Sequence, residues 1–169
     1  MTDWRQATAV AQGRAIGAGR LDPRELCESY LEAIAAHPDA ERIYARTTRE
    51  RARAEAEAAA GRAREGSLRG PLDGVAISWK DNVDSAGVAT EAGSCLLAGR
   101  VPETDAPVLA TATRAGLVCL GKTHLSELAF SGLGVNPMTA TPPNAHAPDP
   151  APAGSSARAP VSTAPGPAS

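Results

Sequence analysis

The stretch GPLDGVAISWKDN, residues 70–82, contains the pattern from which the fold can be worked out. A turn rich in glycine and proline leads into a short apolar run, residues 75–79, which is typical of a buried strand. Lys80 ends the run and is followed directly by Asp81. A lysine in this position is either a solvated strand end or a desolvated base with a lowered pKa. Taken alone, the stretch favours the solvated alternative, because most lysines are exposed.

The residues after this strand predict a βαβ unit. Residues 84–94, rich in glycine and alanine, predict an irregular loop. Asp105 and Pro107 are start signals for a helix that ends near residue 115, and residues 117–120 form a second short buried strand. This order of elements favours two parallel strands in an α/β fold.

Helices are predicted before the first strand. Residues 3–17 are compatible with a helix, although their apolar face is weak. The capping box DPRE at 22–25 begins a clearer helix, which runs to about residue 36. The sequence TTRE at 47–50 begins a third, with its first threonine as the cap, which ends near residue 60 before a glycine.

Composition and charge exclude several classes of protein. The chain has 169 residues, a net charge of −2 and 3% aromatic residues. It therefore lacks the basic field expected of a nucleic-acid-binding protein or of a membrane-surface patch. No apolar run has the length of a membrane span, and the first residues do not resemble a signal peptide. We expect a cytoplasmic protein.

The sequence does not predict a metal or a cofactor. Three widely spaced cysteines do not suggest disulfides or zinc, and the three histidines show no ligand spacing. The tripeptide Gly-Lys-Thr at 121–123, which closes the second strand, lacks the upstream glycine of a phosphate loop. Residues 124–129 then predict a short helix, which ends in a glycine-rich turn.

Two further stretches could take part in chemistry. Ser131, Gly132 and Gly134 belong to the turn SGLGVNP, whose backbone could lie close to a ligand. Ser155 and Ser156 form a serine pair within residues 137–169, which contain nine of the fourteen prolines. That composition predicts a loop or disordered tail, so the boundary of the folded part, residues 1–136, is expected near residue 136.

Taken together and in order, these stretches resemble the amidase signature family. The matching segments are GPLDGVAISWKDN (70–82), EAGS (91–94), LGKTHLSELAF (120–130), GLGVNP (132–137), TPPN (141–144) and GSS (154–156). The resemblance implies an α/β fold with a large mixed sheet between helices, of which this chain holds the N-terminal helices and the first strands. It also implies hydrolysis of amide bonds by a serine, a serine in cis peptide linkage and a lysine.

The resemblance assigns Lys80 as the catalytic lysine and Ser155 as the cis-serine, with Ser156 as its neighbour. A lysine accepts a proton only when it is neutral, so an apolar strand must desolvate it. The family's nucleophile stands in a glycine-rich turn that these residues do not contain. Arg158 also replaces a small residue after the serine pair. We therefore expect an incomplete amidase domain that does not hydrolyse amides alone.

Two alternatives belong to other classes: a non-catalytic interaction module, and a degenerate gene product. Within the family, the substrate is expected to be a small amide, with a stand-alone amidase favoured over the amidase subunit of a tRNA-dependent amidotransferase. The expected partners are a second copy of the chain or a complementing chain, because part of the apolar surface would lack its cover. Nucleic acid, metal and membrane are not expected.

Overall fold

A computed structural model of the protein describes residues 3–141. Within that range the chain is α/β, as the sequence predicts. The helices are α1 (Ala9–Gly17), α2 (Pro23–Ala36), α3 (Ala40–Ile43), α4 (Arg49–Glu65) and α5 (Pro107–Arg114). The strands are β1 (Tyr44–Thr47), β2 (Ala76–Lys80) and β3 (Val118–Thr123). Most of the predicted tail, with the serine pair, lies outside the described residues.

The three strands form one sheet in the order β1-β3-β2. β1 is antiparallel to β3, with Tyr44 opposite Thr123. The hydrogen bonds between β2 and β3 and their flanking residues join 75 to 118 and 81 to 123. Residue numbers rise together along the two strands, so the strands are parallel, as the βαβ pattern requires.

The sequence prediction missed β1 and misplaced the start of α4. Thr47 is a strand residue paired with Gly121, not a helix cap. The helix begins at Arg49, and the hydroxyl of the preceding Thr48 donates to the carbonyl of Cys119 at 2.8 Å rather than capping the helix. The predicted end near Ala60 is also wrong, because α4 continues to Glu65.

The Gly-Lys-Thr tripeptide, expected to close a strand, lies inside β3. The absence of a side chain at Gly121 explains the extension. A Cβ at Gly121 would lie 2.6 Å from the carbonyl oxygen of Arg46 and 2.9 Å from the Cα of Thr47. Glycine therefore lets β1 approach β3 closely enough to pair with it.

The helix predicted over residues 124–129 is reduced to one turn of 3-10 helix, Glu127–Ala129. Leu128 and Ala129 both have positive φ, at 49° and 60°. L-residues pay a steric cost in that region, so the chain cannot propagate a helix through them. The start signal at Asp105 also has another role, because its carboxylate accepts a hydrogen bond from the N–H of Ala86 at 2.8 Å.

The chain divides into two compact units. The first comprises Met1–Ala36, Thr48–Ile77 and Ala110–Leu120. Its core is a cluster of small and medium apolar side chains with partly buried aromatic and leucine neighbours. The members are Ala15, Ile16, Leu21, Leu26 and Val75, against Trp4, Tyr30, Ala63, Leu68 and Leu72. This core is built mainly from helices α1 and α2 and the residue before β2.

The second unit comprises His37–Thr47, Ser78–Leu109 and Gly121–Ser169, of which residues up to 141 are described. Its interior contains apolar side chains such as Ile43 and Leu125, and also many buried polar ones. Among residues 3–141, no helix has both the length and the apolar composition that crossing a bilayer would require.

Candidate active site

Lys80 is the last residue of β2 and is partly buried. Burial lowers the pKa of its ammonium below the usual lysine value, because desolvation disfavours the charged form. Side chains alternate along a strand, so Lys80 lies on the same face as Ser78. The Ser78 hydroxyl lies 2.8 Å from the hydroxyl of Tyr44, at hydrogen-bond distance. Lys80 thus lies two residues after Ser78, whose side chain contacts β1.

Asp81, directly after Lys80, is almost completely buried, with 2% of its surface exposed. Its backbone N–H donates to the carbonyl of Thr123 at 3.0 Å, and its backbone carbonyl accepts from the N–H of Ala92 at 3.1 Å. Its carboxylate Oδ2 accepts from the N–H of Glu91 at 3.2 Å. Asp81 therefore connects the end of β2 to β3 and to the loop over residues 89–92.

Lys122, the residue before the last in β3, is completely buried. Its ammonium donates to Asp81 Oδ1 at 3.1 Å, to the Ala89 carbonyl at 3.0 Å, and to the Thr90 hydroxyl. Burial lowers the pKa of Lys122, while the negative charge of Asp81 acts in the opposite direction. Three acceptors match the three N–H donors of an ammonium group, so the geometry favours the charged form.

Arg46, from β1, completes a charge cluster, which we define as Arg46, Asp81, Glu91 and Lys122. Its guanidinium lies 2.6 Å from Glu91 Oε2 and 3.3 Å from Asp81 Oδ1. The N–H of Gly99 and the Arg46 guanidinium hold the pKa of Glu91 below its usual value. The cluster contains two cations and two anions, so its charges balance. Asp81 and Lys122 are almost completely buried, whereas Arg46 and Glu91 are partly exposed.

The glycine-rich turn with Ser131, Gly132 and Gly134 lies in the same compact unit as Lys80. Asn136 anchors it: its side-chain NH₂ donates to the carbonyls of residues 93 and 125, both at 2.8 Å. Its Oδ1 accepts from the N–H of residue 138 at 2.9 Å. The turn is therefore tied down at one buried residue.

Several large apolar side chains around this turn are exposed. They are Leu128, Phe130, Leu133, Val135 and Met138, and Phe130 has 95% of its surface accessible. We call these five residues the apolar segment. A concentration of exposed apolar side chains in one short stretch is typical of a surface that another part of a protein covers.

Comparison with known proteins gives the lineage. The Amidase family matches residues 25–159, which include Lys80, the charge cluster and the serine pair. This match covers more than half of the chain. The chain belongs to the amidase family.

Individual amidase relatives agree with this assignment. A glutamyl-tRNA(Gln) amidotransferase subunit from Chloroflexus aurantiacus is 38% identical over 130 residues, covering 77% of this chain and 27% of the relative. A putative amidase, AmiB2, of Mycobacterium tuberculosis is 43% identical over 129 residues, covering 75% of this chain and 27% of the relative. The chain thus spans about a quarter of the length of these relatives.

Among solved structures, the native peptide amidase of Stenotrophomonas maltophilia superposes with a TM-score of 0.82 at 33% identity. The superposition covers 92% of this chain and 33% of the peptide amidase. The small sheet and its helices therefore correspond to one part of a larger amidase fold, as the sequence resemblance implies.

The structure describes some of the predicted site residues and not others. Lys80 and the turn with Ser131, Gly132 and Gly134 are described and belong to one unit. Ser155 and Ser156 lie outside the described residues, so their pairing with Lys80 stays a prediction. Within residues 3–141, no group of three or more His, Cys, Asp or Glu side chains is arranged to hold a metal ion.

Sequence reasoning missed the charge cluster of this chain. In the sequence, Lys122 belongs only to a tripeptide that fails as a phosphate loop, and Asp81 is only the neighbour of Lys80. One signal was available, since the chain contains only two lysines, Lys80 and Lys122, among 17 basic residues. Both lysines therefore belong to β2 and β3, the two strands that Asp81 connects. This placement was a signal that they share a site.

Proposed function

We propose that this chain contributes the lysine and the bridging serine of a Ser–cisSer–Lys site that hydrolyses carbon–nitrogen bonds of small amides. Lys80 is the base and Ser155 the bridging serine, with Ser156 beside it. The observation that carries the proposal is the partly buried Lys80, with its lowered pKa, at the end of a strand that lies within the residues matched by the Amidase family.

In the proposed reaction, the neutral Lys80 amine takes a proton from the Ser155 hydroxyl. Ser155 takes the proton of a nucleophilic serine, whose oxygen attacks the amide carbonyl carbon. Backbone N–H groups stabilise the resulting oxyanion. The proton then returns through Ser155 to the leaving nitrogen, the C–N bond breaks, and an amine or ammonia departs. Water hydrolyses the remaining ester along the same proton path.

The nucleophile in this proposal comes from outside these 169 residues, because the glycine-rich serine turn of the family is not among them. The remainder of an amidase domain, continuous with this sequence or on a complementing chain, supplies that serine. The same remainder covers the apolar segment. Support comes from the exposure of Phe130 and from the name of the Chloroflexus relative, which is one subunit of an amidotransferase.

The first test measures Lys80 itself. The purified chain is acylated with a small anhydride over a range of pH, and the modification of each lysine is followed by mass spectrometry. Because only neutral amines react, a base-competent Lys80 reacts at lower pH than an exposed lysine does. A reaction profile with the ordinary lysine midpoint would overturn the proposed role.

The second test is catalytic. The chain alone, with simple aryl and aliphatic amides, is expected to show no turnover. The chain together with a fragment that carries the glycine-rich serine turn is expected to hydrolyse them. Lys80→Met and Ser155→Ala should abolish this turnover, whereas Ser162→Ala, a nearby serine without an assigned role, should retain it. Turnover that survives Lys80→Met contradicts the proposal.

The second candidate function is the amidase subunit of a tRNA-dependent amidotransferase, which the 38% identity to the Chloroflexus subunit favours. A stand-alone amidase is the first choice, since the identity to AmiB2 is 43%. Glutamine hydrolysis that rises when charged tRNA and further subunits are added would favour the amidotransferase. Hydrolysis of simple amides without those additions would favour the stand-alone enzyme.

A further inference from the structure

We infer that the buried Asp81–Lys122 ion pair positions Lys80 for the proton transfer, with Asp81 and Lys122 as positioning residues. The inference rests on the proposed function, because it concerns how the base of that site is held. Neither side chain touches the substrate. Each acts through the peptide that joins Lys80 to Asp81.

That peptide is fixed at both of its polar groups. The Lys80 carbonyl accepts from the N–H of Val83 at 3.0 Å, and the Asp81 N–H donates to the carbonyl of Thr123 at 3.0 Å. A peptide unit is planar, so two hydrogen bonds on its opposite sides fix its orientation. The direction in which the Lys80 side chain leaves the backbone therefore depends on these contacts.

The contacts of the Asp81 side chain restrict the same peptide further, because they fix the residue on its C-terminal side. Its Oδ1 lies 3.1 Å from Lys122 Nζ and 3.3 Å from an Arg46 nitrogen, and its Oδ2 accepts from the N–H of Glu91. A carboxylate held by two cations and one N–H has little freedom to turn. The residue after Lys80 is thus fixed to β1, to β3 and to the loop over residues 89–92.

Lys122 fits this position better than arginine would. The chain has 15 arginines and 2 lysines, so most basic positions of this chain are occupied by arginine. At Lys122 the completely buried ammonium meets three acceptors: Asp81, Ala89 and Thr90. A guanidinium carries five N–H donors, and two of them would stay buried without an acceptor. The compact ammonium is the group that satisfies this site.

The charges around the pair show why losing one member should matter. Besides the charge cluster, Asp84 attracts Lys122, and Asp84 is itself paired with Arg100 at 2.6 Å. Without Lys122, Asp81 would keep only Arg46 as its cationic partner in a buried place. Removing one member of a buried pair leaves an uncompensated charge, so the surroundings rearrange. The peptide before Asp81 is the nearest element that can move.

The test uses the full chain labelled with ¹³Cε- and ¹⁵Nζ-lysine. Only two lysines are present, so Lys122→Met leaves one side-chain signal, which is that of Lys80. Asp81→Asn keeps the shape of the aspartate and removes its charge. Thr90→Val is a milder variant, which removes one acceptor of Lys122. Arg62→Met is the matched control, because it removes one member of a different buried ion pair, that with Asp73.

The expected result is a Lys80 signal that splits or broadens in Lys122→Met and Asp81→Asn, with its titration midpoint shifted upward toward the ordinary lysine value. Thr90→Val should give a smaller change, and Arg62→Met none. Acylation of Lys80 at a fixed pH below the midpoint should slow about tenfold for each unit of that rise. If the pair only stabilised the fold, Lys122→Met, Asp81→Asn and Thr90→Val would lower stability without moving the Lys80 signal.

The outcomes separate this inference from the proposed function. An ordinary titration midpoint for Lys80 in the unaltered chain overturns the proposed function. A lowered midpoint that Lys122→Met and Asp81→Asn leave unchanged, in chains that keep their far-ultraviolet circular dichroism, overturns the positioning inference alone. Loss of fold in Lys122→Met, Asp81→Asn and Thr90→Val alike also overturns it, since the pair would then determine folding rather than the placement of Lys80.

Discussion

Arg62 and Asp73 form a two-point ion pair: Nε of the arginine lies 2.8 Å from Oδ2 of the aspartate, and Nη2 lies 2.6 Å from Oδ1. The aspartate carboxylate also accepts from the N–H of Arg69 at 2.8 Å. Its side chain is completely buried. The pair therefore connects helix α4 to the turn that leads into β2, the strand that ends at Lys80.

We expect Arg62→Met to lower the free energy of unfolding by about 3 kcal/mol, because the buried Asp73 carboxylate would lose its charged partner. Urea unfolding followed by circular dichroism measures the change. Arg53→Met is the control, since Arg53 pairs with Glu28 in an exposed position, and its loss should leave the midpoint nearly unchanged. If both variants lost the same free energy of unfolding, burial would not be what makes the Arg62–Asp73 pair stabilising.

The Asp73 carboxylate should also make stability depend on pH. Burial alone would raise its pKa, but the hydrogen bonds from Arg62 and from the Arg69 N–H outweigh burial, and the pKa of Asp73 lies below its usual value of 3.8. A lowered pKa in the folded state stabilises the protein above that usual value, and the contribution is lost as the pH falls below it. The stability difference between the unaltered chain and Arg62→Met should thus narrow below about pH 4. A constant difference down to about pH 2 would argue against this assignment.

A pair of glycine substitutions tests the packing around the same carboxylate. Gly116 has a φ of +89°, and a Cβ there would collide with the Asp73 carboxylate. Gly116→Ala should therefore lower the free energy of unfolding by about 2 kcal/mol or more. Gly61, inside α4, has nothing within 4 Å of an added Cβ, so Gly61→Ala should raise it by about 1 kcal/mol. Thermal unfolding of the two variants measures both changes. Changes in stability of the same sign would refute this prediction.

Asn136→Asp tests the anchor of the glycine-rich turn. The change keeps the shape of the side chain but replaces its two N–H donors with an oxygen that faces the carbonyls of Gly93 and Leu125. We expect a loss of about 2 kcal/mol and faster hydrogen exchange near both carbonyls and in the turn. Gly132→Ala is the matched control, since nothing lies within 4 Å of the added methyl group. Unchanged exchange in Asn136→Asp would show that the anchor is dispensable.

Local signals in the sequence predicted the elements that depend on local chemistry. The capping residues before α2 gave its start correctly, since the helix begins at Pro23 and the Asp22 carboxylate accepts from the N–H of Arg24 at 2.8 Å. The apolar run before Lys80 gave β2 to within one residue. The βαβ order also gave the parallel pairing, because a crossover helix between two strands leaves few other arrangements.

Elements that depend on contacts between distant residues could not be predicted in this way. β1 has only four residues and forms by pairing with β3, so its own sequence carries little information. Lys122 meets Asp81 only after β2 and β3 have paired. The positive φ of Leu128 likewise follows from its surroundings rather than from its residue type. The serine pair is assigned by resemblance, and its relation to Lys80 stays a prediction.

The indole of Trp79, one residue before Lys80, has a buried Nε1 with no hydrogen-bond partner among residues 3–141. An excited indole shielded from water emits at shorter wavelength than an exposed one. The chain has only one other tryptophan, Trp4, so the tryptophan emission of a Trp4→Phe chain would come from this strand alone. Ultraviolet emission would then give an optical signal for events around Lys80 without any attached dye.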